Sequence, residues 1–503
     1  MSDRRFPEHF YNWISLAGAA LAVGTFSIIV LLILIDFFIQ ETTLYLGMLT
    51  YMILPGFLVA GLAMVLGGAL WERRRRARGL SASLGTSFHI DLQNPQTRRV
   101  LMIGVAVTSV FLVASSLGTY KAYHISESTK FCGTLCHSVM SPEYTAYQRS
   151  SHARVACVAC HIGPGADWFV KSKLTGAYQV YSTMFHKYAR PIETPIKNLR
   201  PARDTCLQCH WPEKFFGERK HVNPHYLADE KNTPYPITLL VKIGGGSANA
   251  KEGSGIHWHM MISNKLEYIA RDRARQDIAW IRATSKDGRV KIYENPDNAL
   301  TDAEKAKAEI RTMDCIDCHN RPSHNYRPPQ REVNAALAAG EIPTNLPFIK
   351  REAVKALDAE YPTTPAARAA IADKIRGFYE KEYPAVWAAR REDVERAVRA
   401  VQTIHAQNFF PEMRVTWRAY PENIGHSLAA GCFRCHGTDL KTSAGETITK
   451  DCTTCHTILS QGTGPGADTV SVKGLPIRHP QDIGGMELEG QCNACHQGGA
   501  ELY

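Results

Sequence analysis

All fourteen cysteines of this 503-residue chain fall into seven pairs, and a histidine follows each pair at once. The pairs are Cys132/Cys136, Cys157/Cys160, Cys206/Cys209, Cys315/Cys318, Cys432/Cys435, Cys452/Cys455 and Cys492/Cys495. The histidines are His137, His161, His210, His319, His436, His456 and His496. Six pairs read C-x-x-C-H, the attachment signature of c-type haem, in which two thioethers hold the porphyrin edge and the histidine sits under the iron. Zinc knuckles need two C-x-x-C units converging on one ion, and disulfide frameworks belong mainly to small secreted domains. Neither explains a histidine after every second cysteine. The chain therefore reads as a carrier of seven covalently bound haem c groups. The first pair departs from the rest, because Gly133, Thr134 and Leu135 put three residues between its cysteines. Both sulfurs still reach a porphyrin edge at that spacing, and a local disulfide is the alternative for this pair.

Hydrophobic residues make up 45% of the chain but are unevenly spread. Residues 13–39, 46–71 and 100–120 are almost uninterrupted apolar sequence. Each run is long enough to cross a hydrocarbon core of about 30 Å at about 1.5 Å per helical residue. Helices buried in a soluble core seldom run so far without a polar stripe. Arginine placement orients the three runs. Arg4 and Arg5 precede the first, Arg73, Arg74, Arg75, Arg76 and Arg78 follow the second, and Arg98 and Arg99 open the third, while the turn at 40–45 carries only Glu41. The positive-inside rule puts the N-terminus and the arginine-rich loop in the cytoplasm and everything after residue 120 across the membrane. Haem attachment takes place outside the cytoplasm and demands the same side. No small-residue cleavage site follows the first run, so these segments read as retained anchors in the lipid bilayer. The expected location is the bacterial inner (cytoplasmic) membrane, with the haem region in the periplasm. The formal charge of +10 omits haem propionates, and topology accounts for the arginine cluster, so no nucleic-acid partner is implied.

Motif density sets the organisation of the exported part. Residues 132–210 carry three motifs and residues 432–496 carry three more. Segments this short cannot each enclose a conventional side-chain core, so porphyrins must serve as the core. Between them lies the fourth motif, flanked by two stretches without motifs. Residues 211–314 hold strand-like runs at 237–243, 266–270, 278–283 and 290–293, the last two around a turn at 285–288, which reads as a small antiparallel β insertion. Residues 332–407 are rich in Ala, Glu, Arg and Lys and read as helices, with a start at Thr364-Pro365 and a last helix over 392–405. The expected order is a membrane domain at 1–120, a trihaem segment at 121–210, the β insertion at 211–314, the fourth motif at 315–330, a helical segment at 331–410 and a C-terminal trihaem segment at 411–503. The fold class is a multihaem cytochrome c, with three N-terminal transmembrane helices followed by a mainly helical and loop region packed around haem.

Irons that carry electrons without reacting need a second axial ligand. Thirteen of the 20 histidines lie outside the motifs, and His9 and His89 fall on the cytoplasmic side. His152 and His426 lie just ahead of attachment motifs, and His479 lies 13 residues ahead of Cys492. His324 comes five residues after His319, too close to reach the far face of its own porphyrin, so it belongs to a neighbour. His257 and His259 alternate as on one face of a strand, and His405 ends a helix. These seven are the expected distal ligands; His124, His186, His221 and His225 rank below them.

The residues resemble the NapC/NirT family of membrane-anchored multihaem quinol dehydrogenases. The resemblance covers roughly residues 100–182 and the fourth motif. It rests on an apolar helix running into Phe131-Cys132, on Cys157-Val158-Ala159-Cys160-His161-Ile162-Gly163-Pro164-Gly165 followed by Lys173, and on Cys315-Ile316-Asp317-Cys318-His319 with His324. The layout of three helices and seven motifs is similar to the heptahaem inner-membrane cytochromes of metal-reducing bacteria. The resemblance implies electrons taken from the membrane quinol pool at the first haem and delivered to periplasmic c-type cytochromes in anaerobic respiration. It also implies that Lys173 meets the quinol. The family's first motif offers a methionine to iron, which here corresponds to Met140, three residues after His137; either residue can ligate that iron, with Met140 favoured. An acid that the family supplies about seven residues after the lysine is replaced by Val180, leaving Asp167 or Gln179 as substitutes. The two extra N-terminal helices lie outside the family pattern.

Eleven residues separate Tyr120 from Cys132, which keeps the first haem at the membrane surface, within reach of an amphipathic quinol. Quinol oxidation releases two protons with its two electrons, so a group that binds or deprotonates the hydroxyl must stand beside an accessible haem. Lys173 is the candidate, with Asp167 second. Two other readings exist: a terminal reductase of a small oxyanion such as nitrite, which would keep one iron open, and a passive wire without a quinol site.

Overall fold

The computed structural model describes residues 10, 12–38, 50, 53–78, 93, 95–163, 165–196, 199–211, 214–244, 255–260, 264–463, 470–486 and 491–500. Arg4, Arg5, His9, Glu41, His89, Pro164 and most of the sequence at 39–52 therefore lie outside the described residues. The chain forms two compact units, residues 1–135 and 136–503.

The first unit is built on helices α1 (Trp13–Phe38), α2 (Leu54–Ala77) and α3 (Pro95–Ser126). Two stretches, Trp13–Ile33 and Leu54–Ala77, are long and apolar enough to cross a membrane. The third apolar run lies inside α3, which is 32 residues long. Small residues let α1 and α2 approach closely. A Cβ on Gly18 would stand 2.6 Å from the Gly61 carbonyl oxygen, and one on Gly68 would stand 2.6 Å from Ser15 Oγ. Ser15 Oγ in turn donates to the Val65 carbonyl at 3.0 Å. Large apolar side chains such as Val23, Val59 and Leu66 point outward and are exposed. Small residues at the helix contact and large apolar ones outside are the arrangement expected of helices in lipid. Beyond α3, Ser128 caps a short helix, Thr129–Thr134, by accepting from the Phe131 amide, and that helix carries Cys132.

Among the described residues of the second unit the larger side-chain core lies in the helical segment, and a smaller one gathers Tyr268, Ile278, Ile281 and Leu440. Helices α4 (Pro329–Ala338), α5 (Ile349–Asp358), α6 (Thr364–Glu382) and α7 (Arg391–Asn408) pack their apolar stripes together. Ile371, Ile375 and Tyr379 recur one turn apart on α6 and are fully buried, as are Val333, Ile349, Val354 and Leu357 on its neighbours. The cap of α6 is Thr363, whose hydroxyl accepts from the Ala366 amide, with Pro365 in the first turn.

The β structure differs from a single insertion. Strands β1 (Glu218–Asn223), β2 (Ile237–Lys242), β3 (Lys265–Ala270), β4 (Ile278–Thr284), β5 (Val290–Glu294), β6 (Arg311–Thr312) and β7 (His456–Gln461) form two antiparallel sheets. One has the order β1-β2-β7 and the other β5-β4-β3-β6. Local alternation identifies strands but not partners, and β2 finds one of its two partners, β7, more than 200 residues away. Each sheet aims one motif. In the first, Val241 is in register with His456. In the second, the Met313 amide bonds the Leu266 carbonyl at 2.8 Å, two residues before Cys315.

Candidate haem-binding site

Each C-x-x-C-H stretch is one helical turn. The amide of the motif histidine donates to the carbonyl of the first cysteine at 2.8 Å for His210, His319 and His496 and at 3.0 Å for His436. A turn of this kind puts cysteines three apart on one side, so both sulfurs face the same edge. None of the fourteen cysteines is paired in a disulfide. In the first motif the extra residue divides the signature between two elements: Cys132 lies in Thr129–Thr134, whereas Cys136 caps the helix His137–Gln148. Met140 stands one turn after His137 on that second helix, so the two share a face.

Six motif histidines each face another histidine. The ring centroids are 6.1 Å apart for His210 and His152, 6.2 Å for His161 and His324 and 6.3 Å for His319 and His257. They are 5.7 Å apart for His436 and His259, 6.1 Å for His456 and His426 and 5.8 Å for His496 and His479. Nε2 of His436 and Nε2 of His259 are 3.5 Å apart. Two imidazoles on one metal at about 2 Å each put those atoms about 4 Å apart, so the pairs fit an iron held between them.

Hydrogen bonds at the far nitrogen orient these rings. Nδ1 of His257 lies 2.9 Å from the Ile243 carbonyl, that of His259 2.9 Å from Ile256 and that of His324 3.0 Å from Glu143. Nδ1 of His436 lies 2.7 Å from the Thr449 carbonyl, that of His479 2.8 Å from Gln481 and that of His152 3.3 Å from Pro322. A carbonyl only accepts, so Nδ1 carries the proton and Nε2 keeps a lone pair for metal. Burial also lowers the pKa of His257, His259, His324, His426 and His456 below the usual imidazole range, which favours the neutral ring that ligates metal.

Both cysteines of the third to seventh motifs line one continuous cavity of about 3440 Å³. Ordinary ligand pockets hold roughly 300–1,000 Å³, so this space is sized for several large flat groups. The motifs succeed one another along it in chain order. Cys160 lies near Cys206 and Cys209, and Cys206 lies beside Cys315. Cys318 is in reach of Cys432, Cys432 of Cys455 and Cys452 of Cys492.

Other residues singled out from the sequence fall elsewhere. His257 and His259 lie on a 3₁₀ turn, Ile256–Met260, not on a strand. At three residues per turn, positions two apart point in different directions, which is why one ring faces His319 and the other His436. His405 is 3% exposed, stacked on Phe409 at 5.2 Å between centroids and edge-on to Tyr361; it packs inside the helical segment and faces no motif histidine among the described residues. Exposed His221 bonds Asn223, and exposed His186 sits at positive φ. His225 accepts at Nδ1 from Asn334 Nδ2 at 3.1 Å, and burial pulls its pKa down to about 3. Lys173 and Asp167 both lie on the helix Ala166–Met184. Lys173 Nζ stands 4.7 Å over the Phe169 ring. Asp167 occupies the first turn, where a carboxylate complements the helix dipole; at about 100° per residue it lies about 120° around the helix from Lys173. Glu143 carried no signal in the sequence, yet its carboxylate is 3.2 Å from His324 Nδ1.

The NapC/NirT cytochrome c family, N-terminal region, matches residues 94–195. The chain is 43% identical to the cytochrome c-type protein ImcH of Geobacter sulfurreducens over 501 residues, covering 100% of this chain and 98% of that protein. It is 32% identical over 112 residues to the cytochrome c-type protein TorC of Escherichia coli K12, covering 21% of this chain and 27% of that protein. It is 30% identical over 110 residues to the cytochrome c-type protein NrfH of Wolinella succinogenes, covering 20% of this chain and 61% of that protein. No solved structure matches the chain.

Proposed function

The chain belongs to the NapC/NirT family of membrane-anchored electron-transfer cytochromes, and on that footing we propose that it oxidises membrane quinol and hands the electrons through seven haem c groups to periplasmic c-type cytochromes. The observation that carries this reading is the ordered series of histidine pairs, in which successive motifs adjoin one another from the second to the seventh. A bound haem supplies one-electron storage at each position.

The remaining work belongs to the chain's own residues. The paired histidines His161/His324, His210/His152, His319/His257, His436/His259, His456/His426 and His496/His479 would each hold an iron between them and leave no open position for a small substrate, which favours transfer over reduction of an oxyanion. Met140 completes the first site in this assignment. Five residues separate the end of α3 at Ser126 from Cys132, so the entry site adjoins the end of the helix that holds the third apolar run. Lys173 donates to a quinol oxygen and stabilises the quinolate as the first proton leaves; Asp167 or solvent takes up protons. The inner-membrane location, the three-span topology and the cytoplasmic N-terminus belong to the same proposal.

Reduction of the purified full-length protein by a quinol analogue, followed at the haem absorbance, tests it. Full reduction by dithionite with none by the quinol analogue would leave a passive wire. A high-spin signal in the isolated protein would point to the reductase instead.

A further inference from the structure

The fourth and fifth motifs are tied together by the residues between their cysteines. Arg434 precedes Cys435, and each of its three guanidinium nitrogens donates to a backbone carbonyl. Nε donates to Gly431 at 2.8 Å, Nη1 to Arg275 at 2.7 Å and Nη2 to Asp317 at 2.8 Å. Asp317 holds the equivalent position before Cys318 and is 3% exposed. Its Oδ1 accepts from Tyr268 Oη at 2.7 Å, Arg275 Nη1 at 3.0 Å and Arg311 Nε at 2.9 Å. Its Oδ2 accepts from the Asp314 amide at 2.7 Å, and its carbonyl accepts a second bond from Asn423 Nδ2 at 3.0 Å. Tyr268 and Arg311 lie on β3 and β6, and Arg275 lies in the turn between β3 and β4, so the second sheet is bolted to this point.

The charge also reaches the attachment sulfurs. Arg434 is the residue before Cys435, and its Nη2 bonds the carbonyl of Asp317, the residue before Cys318. The fixed guanidinium therefore stands near one cysteine of each motif. Arg275 and Arg311 face the Asp317 carboxylate, Arg434 faces its backbone carbonyl, and Asp314 lies near Arg311, so three cations against two carboxylates leave the junction net positive. A fixed cation in a site sheltered from water favours whichever redox state carries more negative charge.

We propose that Arg434 and Asp317 are positioning residues that set the relative placement and the redox levels of the fourth and fifth haems, making this junction the controlled crossing from the family-like part of the chain into the C-terminal trihaem segment. The inference rests on haem attachment at these two motifs and not on quinol being the donor.

Reduction adds negative charge to a haem, so the two residues act with opposite signs. In the full-length protein reduced chemically with dithionite, Arg434→Gln moves two of the midpoint potentials downward, Arg434→Lys restores most of the shift, and Asp317→Asn moves the same two upward. Haem content, read by pyridine haemochrome, stays at the wild-type value. Unmoved midpoints, or shifts of the same sign in Arg434→Gln and Asp317→Asn, would overturn the proposal. If Arg434→Gln loses haem, Asp317→Asn carries the test alone: an upward shift supports the proposal and no shift overturns it. Loss of quinol-driven reduction in the wild type would sink the quinol reading while leaving this result intact.

Discussion

The helical segment and the motif-bearing segments of the second unit solve the burial problem in different ways. In α4 to α7 the chain encloses itself, and residues such as Leu346, Ile371, Ile375 and Val394 have no exposed surface. In the motif turns, by contrast, Cys160, Cys209, Cys318 and Cys495 are exposed to the cavity that the chain leaves open. One region is stabilised by its own methyl groups and the other by what is attached to it. The lesson is that side-chain burial in a chain like this locates the scaffold, and its absence locates the cofactors.

The largest test of that contrast is to withhold haem. Without attachment, the motif segments should exchange their amide hydrogens as an open chain while α4 to α7 stay protected, as hydrogen exchange by mass spectrometry would read; uniform loss of protection would erase the contrast. Next comes the scaffold. Leu346→Ala or Ile375→Ala should cost about 2–5 kcal/mol in urea unfolding with the haem count unchanged. A drop in haem content would mean that the two regions are not separable.

The third test separates ligands from packing. His257→Ala should convert one haem to a high-spin spectrum, whereas His405→Phe, inside the helical core, should leave the spectrum low-spin. The fourth concerns the entry site: Lys173→Ala should slow quinol-driven reduction by about tenfold or more with dithionite reduction unchanged, each 1.36 kcal/mol of lost stabilisation being a factor of ten. The smallest effect is a pH dependence. Burial pulls the pKa of fully buried Lys350 down from 10.5 to about 8. Between pH 8 and 10.5 the unfolded chain binds the extra proton, so the helical segment should gain stability as pH rises through that window and show no Lys350 contribution to the slope below it. Urea midpoints from pH 7 to 10 read the sign, and Lys350→Met should flatten the curve.

Much of the site could be read from residue order because covalent attachment is a local property. The cysteine pairs and the histidine after each need no tertiary information. The partners of those histidines are another matter. His259 meets His436 across 177 residues, and nothing in the spacing joins them. His405 shows the opposite failure: a histidine at a helix end looks available, but α7 buries that end against Tyr361 and Phe409. Strands β2 to β5 were legible as strand-like runs, whereas β1, β6 and β7 were not, and the division into two sheets depends on β7, which starts inside a motif. The helical segment was legible from composition and caps. The clamp of Asp317 and Arg434 was not, because each occupies a position the attachment signature leaves free.

The single 3₁₀ turn at Ile256–Met260 holds two imidazoles that face different motif histidines, one on each side of the junction between the fourth and fifth motifs. A deletion of one residue there would rotate both rings at once, so the two centres share a hinge. Such a turn ties neighbouring electron stations to the length of one loop, while a side-chain replacement at either histidine reaches only one of them.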